Sequence, residues 1–224
     1  MRLPARTWRV AVGADETLAE WDPPIQQDAG AVFACAHGAG GHMRDRSILA
    51  LSAALRSRGV GVVRFNFIYR ARKTARPDPM PRLVACLAAV EAAVRADLAP
   101  RRLILGGRSM GGRAASVAVS EGLACDGLLL LAYPLHPPGH PDKLRTAHLP
   151  AVKPPVLCIN GTRDAFCERP LMERVVATLP PNWRMHWLEG ADHGFHVLKR
   201  SGRTDEDVLR EAADESAAWL ASAC

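Results

Sequence analysis

No stretch of the 224-residue sequence approaches the roughly 18 consecutive apolar residues that a membrane-spanning helix requires, so a protein built around such a helix is excluded. The six cysteines, at positions 35, 86, 125, 158, 167 and 224, form no C-x-x-C pair and no zinc-like spacing. Neither a zinc module nor a dithiol redox centre is therefore expected, and no metal or cofactor is assigned. Cys35 and Cys158 fall inside apolar strand-like runs, where a free thiol packs as a small hydrophobe, which points to a reduced compartment. The N-terminal run "MRLPARTWRVAVGADE" carries positive charge but no apolar h-region, so a cytoplasmic location is expected. Lysine is scarce: the only four are Lys73, Lys143, Lys153 and Lys199. The formal net charge of +6 rests on arginines scattered among Ala, Gly and Pro, and the one basic cluster of note is Tyr69-Arg70-Ala71-Arg72-Lys73. A polyanion surface there is weighed against an ordinary solvated face, and no nucleic-acid partner is expected. Internal repeats and low-complexity linkers are missing as well.

What is present is an alternation of β-rich apolar runs with Ala/Leu-rich segments of helical period, the pattern of a mostly parallel sheet covered by helices. Strands are predicted at 7–12, 31–36, 60–67, 102–105, 127–132, 156–159 and 184–188, and helices at 46–57, 81–97, 111–121, 170–179 and 205–222. In the second helix Leu83, Leu87, Val90 and Val94 recur at helical spacing and would face the sheet. The expectation is an α/β protein, a mostly parallel twisted sheet of about seven strands flanked by helices, forming one domain over residues 1–224. The Pro- and His-rich stretch 133–155 would make a short lid, too short for a large cap domain.

The segment "LILGGRSMGGRAA" places Gly107-Arg108-Ser109-Met110-Gly111, a G-x-S-x-G, between a short strand and a small-residue helix. Such a turn exposes the serine hydroxyl at a helix N-terminus, where negative charge is favoured. A serine is a weak nucleophile at neutral pH and needs a histidine base oriented by an acid, in the chain order Ser, Asp/Glu, His. Asp164 follows the apolar strand 156–159 in "NGTRD", and His193 follows the last strand in "EGADHGF". Asp164 could instead cap the next helix. His196 is the competing histidine, read as packing or supporting the base, while Asp192 should point elsewhere.

An oxyanion of a tetrahedral intermediate needs preorganised N–H donors, each worth about 3 kcal/mol of barrier. Met110 supplies one amide, and the loop Ala36-His37-Gly38-Ala39-Gly40-Gly41 supplies the other, from Ala39 or, failing that, Gly40. His37 is expected to brace this loop. The same glycines could cradle a phosphate, but no Lys-Ser/Thr follows them.

Together these motifs resemble the α/β-hydrolase superfamily near its dienelactone-hydrolase-like members, and from about residue 30 onward the chain is similar to the testis-expressed-protein-30 and KANSL3 type. The narrower likeness rests on His37-Gly38-Ala39-Gly40, Gly107 to Arg113, "YPLHPPG" from Tyr133, "LRTAHL" from Leu144, Gly161-Thr162-Arg163-Asp164 and Ala191-Asp192-His193-Gly194-Phe195. Dienelactone hydrolases proper use cysteine where this chain has Ser109, so their substrate class does not carry over. The reading is a serine hydrolase cleaving a small to medium carboxylic ester or thioester. Ser109, His193 and Asp164 are its catalytic triad, and the Ala39 and Met110 amides form its oxyanion hole. Gly40, Arg145 and His148 are candidate substrate contacts. Arg145 and His148, like Arg108 and Arg113, could meet an acidic substrate group or make structural ion pairs. The alternatives are a non-catalytic interaction module, or an acyltransferase or amide hydrolase using the same triad. A small acyl substrate is the expected partner, and residue types leave its identity and the oligomeric state open.

Overall fold

The computed structural model describes residues 5–222. Eight strands form one sheet in the order β1-β2-β4-β3-β5-β6-β7-β8: β1 Arg6–Val12, β2 Asp15–Asp22, β3 Ala31–Ala36, β4 Gly61–Phe65, β5 Arg102–Arg108, β6 Gly127–Leu131, β7 Val156–Gly161 and β8 Trp183–Leu188. β2 runs antiparallel to both β1 and β4, and every pairing from β4 through β3, β5, β6 and β7 to β8 is parallel. The helices are α1 Arg46–Arg56, α2 Ile68–Ala71, α3 Met80–Leu98, α4 Met110–Ser120, α5 Arg169–Val176 and α6 Asp205–Ser222.

β2 was not predicted, and its acids explain why. "DETLAEWD" has the composition of a loop, since Asp and Glu are depleted in strands. In the folded chain those acids meet arginines from elsewhere: Asp15 pairs with Arg72 and Arg82, Glu20 with Arg44 and Arg64, and Asp22 with Arg64. The short α2 was hidden in the basic cluster at 69–73, whose Tyr69 is buried and whose Arg72 is one of these partners. β5 also runs three residues beyond its predicted end, because Gly106 and Gly107 still pair with β3 and β6.

The two faces of the sheet are covered by separate helix layers. Along β5, Leu103 and Leu105 enter one core cluster and Ile104 the other, the period of two expected of a strand buried on both faces. Leu83, Leu87, Val90 and Val94 of α3 pack into the first cluster, as their spacing predicts, and Leu55, Val208 and Trp219 of α1 and α6 into the second. Full burial of each such side chain stabilises by about 1.5–3 kcal/mol. The consequence for function is directional: β3, β5, β6, β7 and β8 all deliver their C-terminal ends to one rim, where ligands bind in open α/β sheets.

The stretch 133–155 contains a single turn of 3-10 helix, Leu149–Ala151, and no other helix or strand. Tyr133, Leu135, His136, Leu149 and Val152 in it are buried. His136 donates its amide to Phe166 O at 3.1 Å, and the Tyr133 hydroxyl donates to Arg145 O at 2.8 Å. The first bond straps the segment to the body of the protein, and the second holds the segment to itself.

Candidate active site

Ser109 stands alone between β5 and α4 with φ 50° and ψ −116°, a conformation that costs a non-glycine residue on the order of 1–3 kcal/mol. Neighbours impose it: the Ser109 amide donates to Leu131 O of β6 at 2.8 Å, and the Ser109 carbonyl accepts the Arg113 amide at 3.0 Å. Gly107 has φ +139°, and a Cβ there would lie 2.1 Å from Ala36 O. A Cβ on Gly111 would lie 2.7 Å from the carbonyl oxygens of both Ala36 and His37. Glycine at these two positions lets the first turn of α4 sit directly against the end of β3.

The three residues expected to act together converge. Ser109 Oγ is 2.9 Å from His193 Nε2, and His193 Nδ1 is 2.9 and 2.8 Å from the two carboxylate oxygens of Asp164. The ionised carboxylate only accepts, so Nδ1 carries the imidazole proton and Nε2 is left to accept from the serine. Asp164 is buried, and each of its oxygens has a further donor: the Phe166 amide to Oδ1 at 2.8 Å and Asn160 Nδ2 to Oδ2 at 3.2 Å. The loop carrying His193 closes on Asp192, whose Oδ1 accepts the amides of Gly194 at 2.7 Å and His196 at 3.0 Å. Asp192 is thus engaged by the amides of its own loop. His196 differs from its expected packing role: it is exposed, and its Nδ1 pairs with Asp205 at 2.6 Å.

Two residues at this site, Asn160 and Phe166, were not singled out from the sequence, and the contacts of a third, Arg108, were left open between substrate and structure. Asn160 is fully buried at the end of β7, exchanging hydrogen bonds with the Tyr133 amide and carbonyl at 3.0 Å each while it donates to Asp164. A lone amide ending the apolar run "VLCIN" was its visible signal. Phe166 lays its ring 4.3 Å from the His193 ring at an interplanar angle of 30°. Arg108, named only as an unresolved cation, donates from Nη2 to His193 O at 2.6 Å and lies 5.6 Å over the Phe195 ring. No local pattern could reveal these last two contacts, since each joins segments remote in the chain.

The loop after β3 is held from one side. Gly38 O accepts from His37 Nδ1 at 2.8 Å, from the Gly41 amide at 3.1 Å and, weakly, from the Tyr69 hydroxyl at 3.4 Å. His37 Nε2 accepts the Phe67 amide at 3.2 Å. This buried ring braces the loop, and burial depresses its pKa to about 4, keeping it neutral. Because the peptide group is planar and trans, fixing the Gly38 carbonyl aims the Ala39 N–H in the opposite direction. Among the described residues neither the Ala39 nor the Met110 amide donates to another protein group. A Cβ on Gly38 would lie 3.5 Å from Ser109 Cβ, so the loop passes directly beside the nucleophile. Gly40, at φ +72°, borders open space.

The remaining candidates lie on the strap and α4. His148 Nε2 is 2.8 Å from Ser116 Oγ of α4, and its pKa is lowered to about 4, first by burial and then by Arg113. The Arg145 side chain makes one long hydrogen bond among the described residues, Nη1 to Pro134 O at 3.4 Å. The Cys35 and Cys86 thiols are pushed up to about 12 by burial, which keeps them inert. Among the described residues, no three His, Cys, Asp or Glu side chains group as a metal site, and no helix is long and apolar enough to cross a membrane.

The profile of an alpha/beta hydrolase domain family matches residues 29–221. Among solved structures, a serine hydrolase without a lid from Xanthomonas campestris is similar at a TM-score of 0.75 and 22% identity, over 95% of this chain and 94% of that one. An alpha-beta serine hydrolase homologue from Coxiella burnetii is similar at 0.74 and 19%, over 96% and 95%. A dienelactone hydrolase from Anabaena variabilis is similar at 0.72 and 20%, over 97% of both chains.

Proposed function

We propose, from the premise that this chain belongs to the alpha/beta hydrolase domain family, that it is a serine hydrolase cleaving a small to medium carboxylic ester or thioester through an acyl-enzyme on Ser109. The observation that carries this reading is the unbroken line from Ser109 Oγ through His193 to the buried Asp164 carboxylate, with every link at 2.8–2.9 Å. Within the family, we assign the chain to the testis-expressed-protein-30 and KANSL3 type, on the motifs quoted above.

The chemistry follows from the geometry. His193 Nε2 takes the Ser109 proton as Oγ attacks the acyl carbon, and Asp164 stabilises the resulting imidazolium. The tetrahedral oxyanion is met by the Ala39 and Met110 amides, which have no protein acceptor of their own and so wait for one. The leaving alcohol or thiol takes its proton from His193, and water, activated by the same ring, releases the acid. Residues 133–155 flank the site as a short, strapped lid.

A fluorophosphonate tests this without any guess at substrate. Intact mass should show one adduct on the wild type and none on Ser109→Ala. Asp164→Asn should slow labelling by about 10⁴-fold, the loss expected when the base is left in the wrong tautomer. Absence of an adduct on folded wild type would sink the proposal.

A further inference from the structure

Among the described residues, the guanidinium groups of Arg113 and Arg145 pair with no carboxylate. Arg113 lies on α4 four residues after Ser109, about one helical turn away, and its amide donates to the Ser109 carbonyl. Its side-chain Nε is buried without any hydrogen-bond partner. Arg145, on the strap, feels the charge of Arg113 and the Tyr133 phenol, with no carboxylate among its charged or ionisable neighbours. His148, which binds Ser116 on the next turn of α4, has Arg113 as its only charged neighbour among the described residues. Burial and the nearby Arg113 hold this imidazole neutral, so the corner carries two positive charges and no negative one.

This arrangement is unfavourable in isolation. Like charges repel most where water is partly excluded, and buried donors in native proteins are nearly always satisfied. Arginine forks are otherwise well used in this protein: Arg64, Arg72, Arg82 and Arg44 all find carboxylates. An oxyanion accepting from the terminal nitrogens of both guanidinium groups would remove the repulsion.

We propose that Arg113 and Arg145 form an anion-recognition subsite, selecting ester or thioester substrates that carry a carboxylate or phosphate group a few bonds from the scissile carbonyl. The inference rests on the hydrolase reading and narrows its substrate class. Arg108 is excluded from the subsite because its guanidinium is already committed to the His193 carbonyl.

The test compares 4-nitrophenyl hydrogen adipate, whose acyl chain ends in a carboxylate, with the neutral 4-nitrophenyl heptanoate of similar length. For the wild type, kcat/KM should favour the charged ester by about tenfold or more, the range expected of a charge-assisted contact. Arg113→Met and Arg145→Met should each collapse that ratio toward one, and Arg113→Lys should retain part of it. Adipate or inorganic phosphate should inhibit heptanoate hydrolysis competitively, less so in Arg113→Met, and the tighter inhibitor identifies the oxyanion recognised. A wild type that hydrolyses heptanoate with no preference for adipate overturns the subsite alone, as does a preference that survives both methionine variants. Failure to hydrolyse either ester, together with no fluorophosphonate adduct on Ser109, overturns the hydrolase reading and this inference with it.

Discussion

Arg64 and Arg113 are the same residue type in opposite circumstances. Arg64, on β4, donates from Nε to Asp22 at 2.5 Å and from Nη2 to Asp22 at 3.1 Å, meets Glu20 at 2.9 Å, and donates from Nη1 to Met43 O at 2.9 Å. Arg113, at the start of α4, has among the described residues no carboxylate partner, and its Nε is buried with no acceptor. Arg64 joins β4, β2 and the loop before α1, so its charge is consumed by the fold. The charge of Arg113 remains available to a ligand. An arginine's role here is decided by whether the chain supplies its acceptors.

The comparison can be broken most sharply at Arg64. Arg64→Met leaves the Asp22 carboxylate with only Ser52 from the hydrogen bonds it had, and should lower unfolding free energy by about 3–5 kcal/mol in urea titrations. Adding Asp22→Leu should restore part of that loss, since removing both partners costs less than orphaning one. A single variant as stable as wild type would show that the cluster is not structural.

His37 is a third kind of basic side chain, one that the fold keeps uncharged. Its folded pKa of about 4 lies below the ordinary 6.5, so as pH falls through that window the unfolded chain takes up the proton first and stability drops. The loss should total about 3 kcal/mol between pH 6.5 and 4, at about 1.4 kcal/mol per unit, and none of it should occur above that range. His37→Gln should flatten this limb of the stability profile, and an unaltered slope would refute the assignment.

Arg108 lies between the extremes, spent on one carbonyl and one aromatic face. Arg108→Met should lower kcat by about tenfold or more with a smaller change in KM, the size of one charge-assisted hydrogen bond. Arg108→Lys should recover part of it. An effect confined to KM would mean that Arg108 contacts substrate and does not position His193.

The smallest effect is expected at Arg113 itself. Arg113→Met should leave unfolding free energy unchanged or raise it by up to about 1 kcal/mol, because no native partner is lost and an unsatisfied buried donor is removed. A loss as large as that at Arg64 would reveal a hidden structural role.

Much of this was legible in one dimension. Alternation of strand-like and helical periods predicted the layered α/β architecture, and the helical face of Leu83, Leu87, Val90 and Val94 was readable because α3 packs that stripe on the sheet. The elbow residues, the histidine that meets Ser109 and the acid that meets that histidine could be named because each follows a strand end, and parallel strands deliver their ends to one rim. β2 was illegible because its acids argue against a strand until Arg44, Arg64, Arg72 and Arg82 are brought to them. Phe166 against His193 and Arg108 against the His193 carbonyl were illegible for the same reason: the partners lie 27 and 85 residues apart.

Local order alone therefore determined the fold class, the strained serine turn and the succession Ser109, Asp164, His193, because backbone periodicity and turn chemistry act over a few residues. Which arginines would be neutralised and which left charged was decided only in three dimensions. Charge pairing depends on distances between segments remote in the chain, and the burial that strengthens it exists only once the sheet and helices have closed around them.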